Sequence, residues 1–326
     1  MPIFKGIIMS KTLKNTISAV AFIGILASIL MGLSFLMKPG KSENVNALED
    51  PLTNGILSEE KNTVDVLFLG DSECYSTFIP LQIWKEHGIT SYVCGTSDQV
   101  LSYSYELLAK SMKKQNPKVV VLETNAIFRE VTSTKAFLNK AEGLFSVFKY
   151  HDRWKLLQPK ELRLNDVKTY DRRSKGYLFN ATVSPADTDG YMEPCGDREP
   201  VPKDNLKYLT KIRDYCKKNG AELVLVSVPS TKNWNYSKHN AVSDLASELE
   251  INYIDMNTLG SEIPIDWKRD TRDKGDHLNY FGASKATEYF GKYLESKGFF
   301  EDKRKLEKYS YWNRTADEFL SSVEKV

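Results

Sequence analysis

Two patterns of apolar positions divide this chain. Residues 17–37 (ISAVAFIGILASILMGLSFLM) run without a single charged side chain. A helix needs about 20 such residues to cross a bilayer. Beyond residue 60 the apolar positions come in short β-rich runs separated by stretches with helical spacing. The runs predict strands over 64–69, 91–94, 118–123 (KVVVLE), 222–228 (ELVLVSV) and 251–255 (INYID). Helices are predicted near 100–114, 205–218, 237–249 and 282–297. Strands that alternate with helices predict an α/β fold with a parallel sheet covered on both faces. Uninterrupted runs such as VVVL suit strands buried on both sides. Residues 126–204, rich in Lys, Arg, Tyr and Trp, break the alternation and read as an insertion between the third and fourth strands.

Charge orients the long apolar run. Lys5, Lys11 and Lys14 precede it; Lys38 and Lys41 follow, and Glu43, Glu49 and Asp50 come next. The positive-inside tendency favours a cytoplasmic N-terminus (1–16), a transmembrane anchor (17–37) and an exported remainder. Cleaved signal peptides have an apolar core of about 7–15 residues, so an uncleaved anchor is preferred. Residues 38–60, with Pro39, Gly40, Pro51 and Gly55, read as a tether. The rest, 61–326, is expected to be one extracellular domain at the cell membrane, with lipid contacted through the single span.

Composition excludes several classes. At 41% hydrophobic, 27% charged and a formal net charge of +2, the chain has no basic field to suit nucleic acid. It has neither a P-loop nor GxGxxG, so no nucleotide is expected. No metal and no cofactor are expected, because no His/Cys/Asp/Glu group has metal-site spacing. Of the four cysteines, Cys74 and Cys94 stand near neighbouring strand ends and leave a disulfide open.

Ligands of such sheets bind at the carboxyl ends of strands. There stand Gly70-Asp71-Ser72, Gly95-Thr96-Ser97, Glu123-Thr124-Asn125, Pro229-Ser230 and Asp255-Met256-Asn257. Ser72 reads either as a helix cap or as a nucleophile. A nucleophilic serine needs a base, and one of only four histidines, His277, lies in the late acidic loop DKGDHLNYFGASKAT. Asp71, His239 and Trp234 are candidate substrate-binding residues. The stretch His151-Asp152-Arg153-Trp154 is another candidate contact.

GDS after the first strand, Gly95 after the second, Asn125 after the third and the late Asp-His loop resemble the four blocks of the SGNH (GDSL-type) hydrolases. FKYHDRW (148–154), KGY (175–177), VPSTKNWNYSKHN (228–240) and HLNYFGASK (277–285) resemble its DltD/AlgJ-like branch, with the likeness spanning roughly residues 62–315. The resemblance implies a three-layer, flavodoxin-like α/β/α fold. It implies Ser72 as nucleophile and His277 as base. The N–H groups of Ser72 and Gly95 and the Asn125 amide would form the oxyanion hole. The usual leucine after GDS is Glu73, a side chain not expected to enter the site. The usual acid position is Lys274. Asp276 and Asp273 flank it, with Asp276 preferred because it adjoins the histidine. The implied activity is O-acyl transfer, most simply acetyl, to a cell-envelope polysaccharide or teichoic acid, beside a membrane-bound O-acyltransferase. An esterase acting on the same polymers and a non-catalytic anchored subunit are the alternatives.

Overall fold

The computed structural model describes residues 11–37, 53–130, 141, 144–150 and 173–323. The chain divides into two compact units. One comprises residues 1–41 and 131–168, the other 42–130 and 169–326. The HDRW stretch at 151–154 lies outside the described residues.

In the smaller unit, helix α1 (Lys11–Met37) is long and apolar enough to cross a membrane. At about 1.5 Å per residue its charge-free part, residues 17–37, spans about 32 Å. Residues 146–147 hold to it near its end: Ser146 Oγ donates to the Ser34 carbonyl (3.2 Å), and the Val147 N–H donates to Ser34 Oγ (3.1 Å).

The larger unit is built on five parallel strands: β1 (Val66–Gly70), β2 (Ser91–Gly95), β3 (Val119–Glu123), β4 (Glu222–Ser227) and β5 (Asn252–Asp255). Their order in the sheet is β2-β1-β3-β4-β5. This is the flavodoxin-like doubly wound order, as expected from the sequence. Alternate side chains feed opposite cores. Leu67, Leu69, Val120, Leu122, Leu223 and Leu225 face helices α4 (Leu101–Ser111), α6 (Lys203–Lys218) and α7 (Tyr236–Leu249). Val66, Phe68, Val119, Val121, Val224 and Val226 face α2 (Ser72–Thr77), α3 (Pro80–His87) and α8 (Tyr280–Ser296). A last helix, α9 (Ser310–Val323), lays Trp312 and Ala316 against Leu81 and Trp84 of α3. The short helix α5 (Val147–Tyr150) belongs to the smaller unit.

Four points differ from the sequence reading or were left open by it. The end of the expected tether is part of the domain: Ile56 and Glu59 are buried, Thr53 Oγ1 donates to the Gly95 carbonyl, and Lys110 reaches Asn54. The expected insertion splits, its later part from residue 169 grouping with the sheet domain. Cys74 and Cys94 are buried free thiols, and burial pushes Cys94 up to about 12. A hairpin of two short strands, β6 (Thr271–Arg272) and β7 (His277–Leu278), carries the late histidine and has no apolar run to announce it.

Glu59 pairs with Lys175 at 2.7 Å, and both side chains are almost wholly buried. The ammonium also sits over the Trp312 ring, 4.0 Å from its centroid. Removing one partner strands a buried charge, which costs about 3–5 kcal/mol. We therefore expect Lys175→Met to destabilise the domain by that amount in urea unfolding. Lys175→Met with Glu59→Met should recover most of the loss.

Candidate active site

The order of the sheet reverses between β1 and β3, and ligands of such folds bind in the crevice at that point. Asp71-Ser72 follows β1, and Thr124-Asn125 follows β3. Gly70 must be glycine here, because a Cβ would lie 2.6 Å from Glu123 Cβ and 2.7 Å from Cys74 Cβ. The chain can then turn straight from strand into α2. Ser72 occupies the first helical position, where a backbone N–H has no partner within the helix. Gly95 ends β2 opposite Gly70. A Cβ on it would stand 3.1 Å from the Asp71 carbonyl and 3.2 Å from that of Gly70.

Asp71 is fully buried, which removes it from the substrate-contacting residues. It caps α2 instead: Oδ1 accepts from the Glu73 N–H at 3.0 Å. Its Oδ2 accepts from Asn125 Nδ2 (3.1 Å) and Arg129 (2.5 Å). Arg129 also pairs with Asp98, beyond the end of β2. Asn125 is held on its other side by Lys238, whose Nζ donates to Asn125 Oδ1 (3.4 Å) and to the Asn233 carbonyl (2.7 Å). A lysine can only donate, so this contact fixes which end of the carboxamide faces Asp71. Burial lowers the Lys238 pKa.

β7 packs on α2 and brings His277 to the same edge. Its Nδ1 lies 3.2 Å from Asp273 Oδ2 and 3.7 Å from Asp276 Oδ2. The hydrogen bond therefore goes to Asp273, whereas chain adjacency favours Asp276. The reason is local backbone. Asp273, Lys274 and Gly275 all have positive φ (57°, 58° and 89°). Three left-handed residues in succession curl the loop so that an acid four positions back meets the ring. Non-glycine residues adopt this conformation at a cost. The loop after β4 offsets it: Thr231 N–H and Ser230 Oγ donate to the Gly275 carbonyl, and Lys232 to that of Asp273. Arg272 pairs with Asp273 at 3.4 Å and donates to Ser76 of α2 at 2.7 Å. An ionised carboxylate only accepts, so the Asp273 contact puts the ring proton on Nδ1 and leaves Nε2 as the acceptor. That Nε2 is buried and has no hydrogen-bond partner.

Glu73 is a site residue that sequence reasoning set aside. It is 1% exposed and points into the crevice. Asn233 Nδ2 donates both to Glu73 Oε1 and to Asp276 Oδ1. One donor atom each from Glu73, Asp276 and His277 lie within 4.8 Å of one another. No sequence signal marked Glu73, since α2 is six residues long and buried almost throughout, without periodicity. Asn233 had the hint that its loop follows a strand's carboxyl end, and it lies in the stretch 228–240 that carries part of the resemblance.

His239 and Trp234 are drawn elsewhere. The Trp234 indole N–H (2.9 Å), His239 Nδ1 (2.7 Å) and Tyr253 hydroxyl (3.1 Å) converge on Asp255 Oδ2. Trp234 is 4% exposed. This knot ties the start of α7 to the end of β5, a structural task rather than substrate contact.

Burial, then the charges of Asp71 and Glu73, pushes the Glu123 carboxyl well above its ordinary value of 4.5. Folding therefore favours proton uptake there, and stability falls as pH rises above about 4.5 toward the folded-state value. Glu123→Gln keeps an acceptor for the Asn125 N–H (2.8 Å in the wild type) and removes that loss. We expect the melting temperature of Glu123→Gln, relative to wild type, to rise as the pH is raised above about 5. A constant or shrinking difference would show that the carboxyl ionises in the fold at little cost.

No family model matches the sequence, and no curated protein matches it. Solved structures to which the chain is similar include the psychrotrophic esterase EstA from Pseudoalteromonas sp., at 11% identity over 72% of this chain and 97% of that one, TM-score 0.40. Others are a GDSL-like lipase from Bacteroides thetaiotaomicron (10% identity, 77% and 99% coverage, TM-score 0.38) and a lipase/acylhydrolase from Enterococcus faecalis (8%, 72% and 97%, TM-score 0.37). Identities and scores this low transfer no residue roles.

Proposed function

We propose that this chain is a membrane-anchored, SGNH-type serine acyl-transfer enzyme that passes an acyl group, most simply acetyl, to a hydroxyl of a cell-envelope polymer. The observation that supports this reading is His277. Its Nδ1 is held by Asp273, and its Nε2 is buried and unpartnered beside the helix that begins with Ser72. An imidazole oriented by a carboxylate, with its far nitrogen left to take a proton from a serine, is the arrangement of roles that activates a hydroxyl.

Ser72 Oγ would attack the donor carbonyl while its proton passes to His277 Nε2. The bond to the leaving group then breaks, and the leaving group takes that proton. The acceptor hydroxyl attacks the acyl-serine in turn, its proton going to His277 Nε2, which hands it to Ser72 Oγ as the Oγ–acyl bond breaks. Asp273 steadies the imidazolium. The N–H groups of Ser72 and Gly95 and the Asn125 carboxamide are the oxyanion donors. Asn125 Nδ2 carries two N–H bonds, so its contact with Asp71 leaves one for the oxyanion. Each such donor is worth about 10²–10³ in rate. Transfer over hydrolysis requires the acceptor to exclude water. A membrane-bound O-acyltransferase is the proposed source of the acyl group, with α1 holding the domain beside it.

A fluorophosphonate probe followed by intact mass tests this reading on the full chain in detergent. One adduct is expected on wild type and none on Ser72→Ala or His277→Ala. Asp273→Asn should slow labelling by about 10²–10⁴-fold, and Asp276→Asn by under about tenfold. No adduct on the folded protein would favour the non-catalytic subunit. Turnover of an aryl acetate indifferent to added polymer would favour the esterase.

A further inference from the structure

We infer that Glu73, Asp276 and His277 form a binding site for a divalent transition cation of the zinc class, and that its occupation withdraws His277 from Ser72. The second half rests on the serine reading above; the first does not. The expectation of no metal came from spacing along the chain. These ligands come from residue 73 and from residues 276–277, so no spacing could reveal them.

Three features of the cluster point to a cation. One donor atom from each of the three residues lies within 4.8 Å of the others. Zinc holds such atoms at about 2.0–2.2 Å, which places them about 3.4 Å apart. Closing the difference requires side-chain rotation of Glu73 and Asp276. The Asn233 amide takes Glu73 Oε1 and Asp276 Oδ1. Its bridge leaves the second oxygen of each. Glu73 Oε2 is buried and has no hydrogen-bond partner, on a side chain 1% exposed. His277 repeats the pattern, with Nδ1 on the Asp273 carboxylate and Nε2 buried without a partner. A carboxylate behind the ring of a ligating histidine fixes its tautomer and raises its basicity.

Charge adds to the case. Asp71, Glu73, Glu123, Asp273 and Asp276 crowd one strand edge. Arg129 and Arg272 are the cations paired to them among the contacts described above. One imidazole and two carboxylates suit zinc better than calcium, which takes 6–8 oxygens.

Titration calorimetry of the full chain in detergent with zinc chloride at about pH 7.5 tests this directly. One site is expected. Glu73→Gln, which keeps the shape of the side chain, and His277→Ala should each weaken it by about 10–100-fold. His239→Ala, at the other Asp–His pair, should leave it unchanged. Asp276→Asn serves if Glu73→Gln fails to fold. Zinc should also suppress fluorophosphonate labelling of wild type, with recovery on adding a chelator. No binding below about 100 µM zinc overturns the site, as does undiminished affinity in Glu73→Gln or loss in His239→Ala instead. Binding with undiminished labelling overturns the withdrawal of His277. A chain that never labels, yet binds zinc through Glu73, removes the serine reading and leaves the cation site standing.

Discussion

A carboxylate with no exposed surface must be compensated on every side, and Asp71 meets that demand by binding three strand ends together. One oxygen caps the helix that begins with Ser72. The other takes the Asn125 amide from beyond β3 and the Arg129 guanidinium, which in turn reaches Asp98 beyond β2. The sheet supplies direction, and this buried charge supplies position. Ser72 stands where it does because the residue before it cannot move without stranding a charge. Two further buried acids, Glu73 and Glu123, have raised pKa values, first because they are buried and then because of the Asp71 charge beside them.

The fold was largely readable in the sequence because parallel strands are buried on both faces, and VLFL, VVVL and LVLV have no polar interruption. The Gly-Asp-Ser turn and the late histidine were readable for a related reason: they stand at strand ends or helix starts, where local rules are strict. What was hidden depends on backbone geometry that side-chain identity does not encode. Lys274 gives no hint that it adopts a left-handed conformation, yet that curl is what brings Asp273 to His277. Glu73 lies in a helix too short to show a face. The segment at residues 53–59 looked like tether because Pro51 and Gly55 stand in a polar stretch, while its anchoring contacts come from Gly95, Lys110 and Lys175.

Two histidine–aspartate pairs in this domain show how little the pair alone decides. Asp255 already receives Trp234, Tyr253 and both the N–H and the amide of Asn257, so His239 closes a saturated network. Asp273 holds His277 from one side only, and the opposite ring nitrogen has nothing to bond. The two pairs differ in what they leave over: Asp255 is bonded at both oxygens, whereas His277 Nε2 is buried without a partner.

The grip of α8 on α2 has a temporal side. Thr287 Oγ1 donates to the Thr77 carbonyl and accepts from the Ile79 N–H, closing contacts 210 and 208 residues apart in the chain. A polypeptide made from its N-terminus presents Ser72 long before His277 exists, and the loop that joins them closes late. Until α8 docks, α2 and the hairpin that carries His277 have little to rest on. The fold thus ties the assembly of this strand edge to the arrival of residues 277–296.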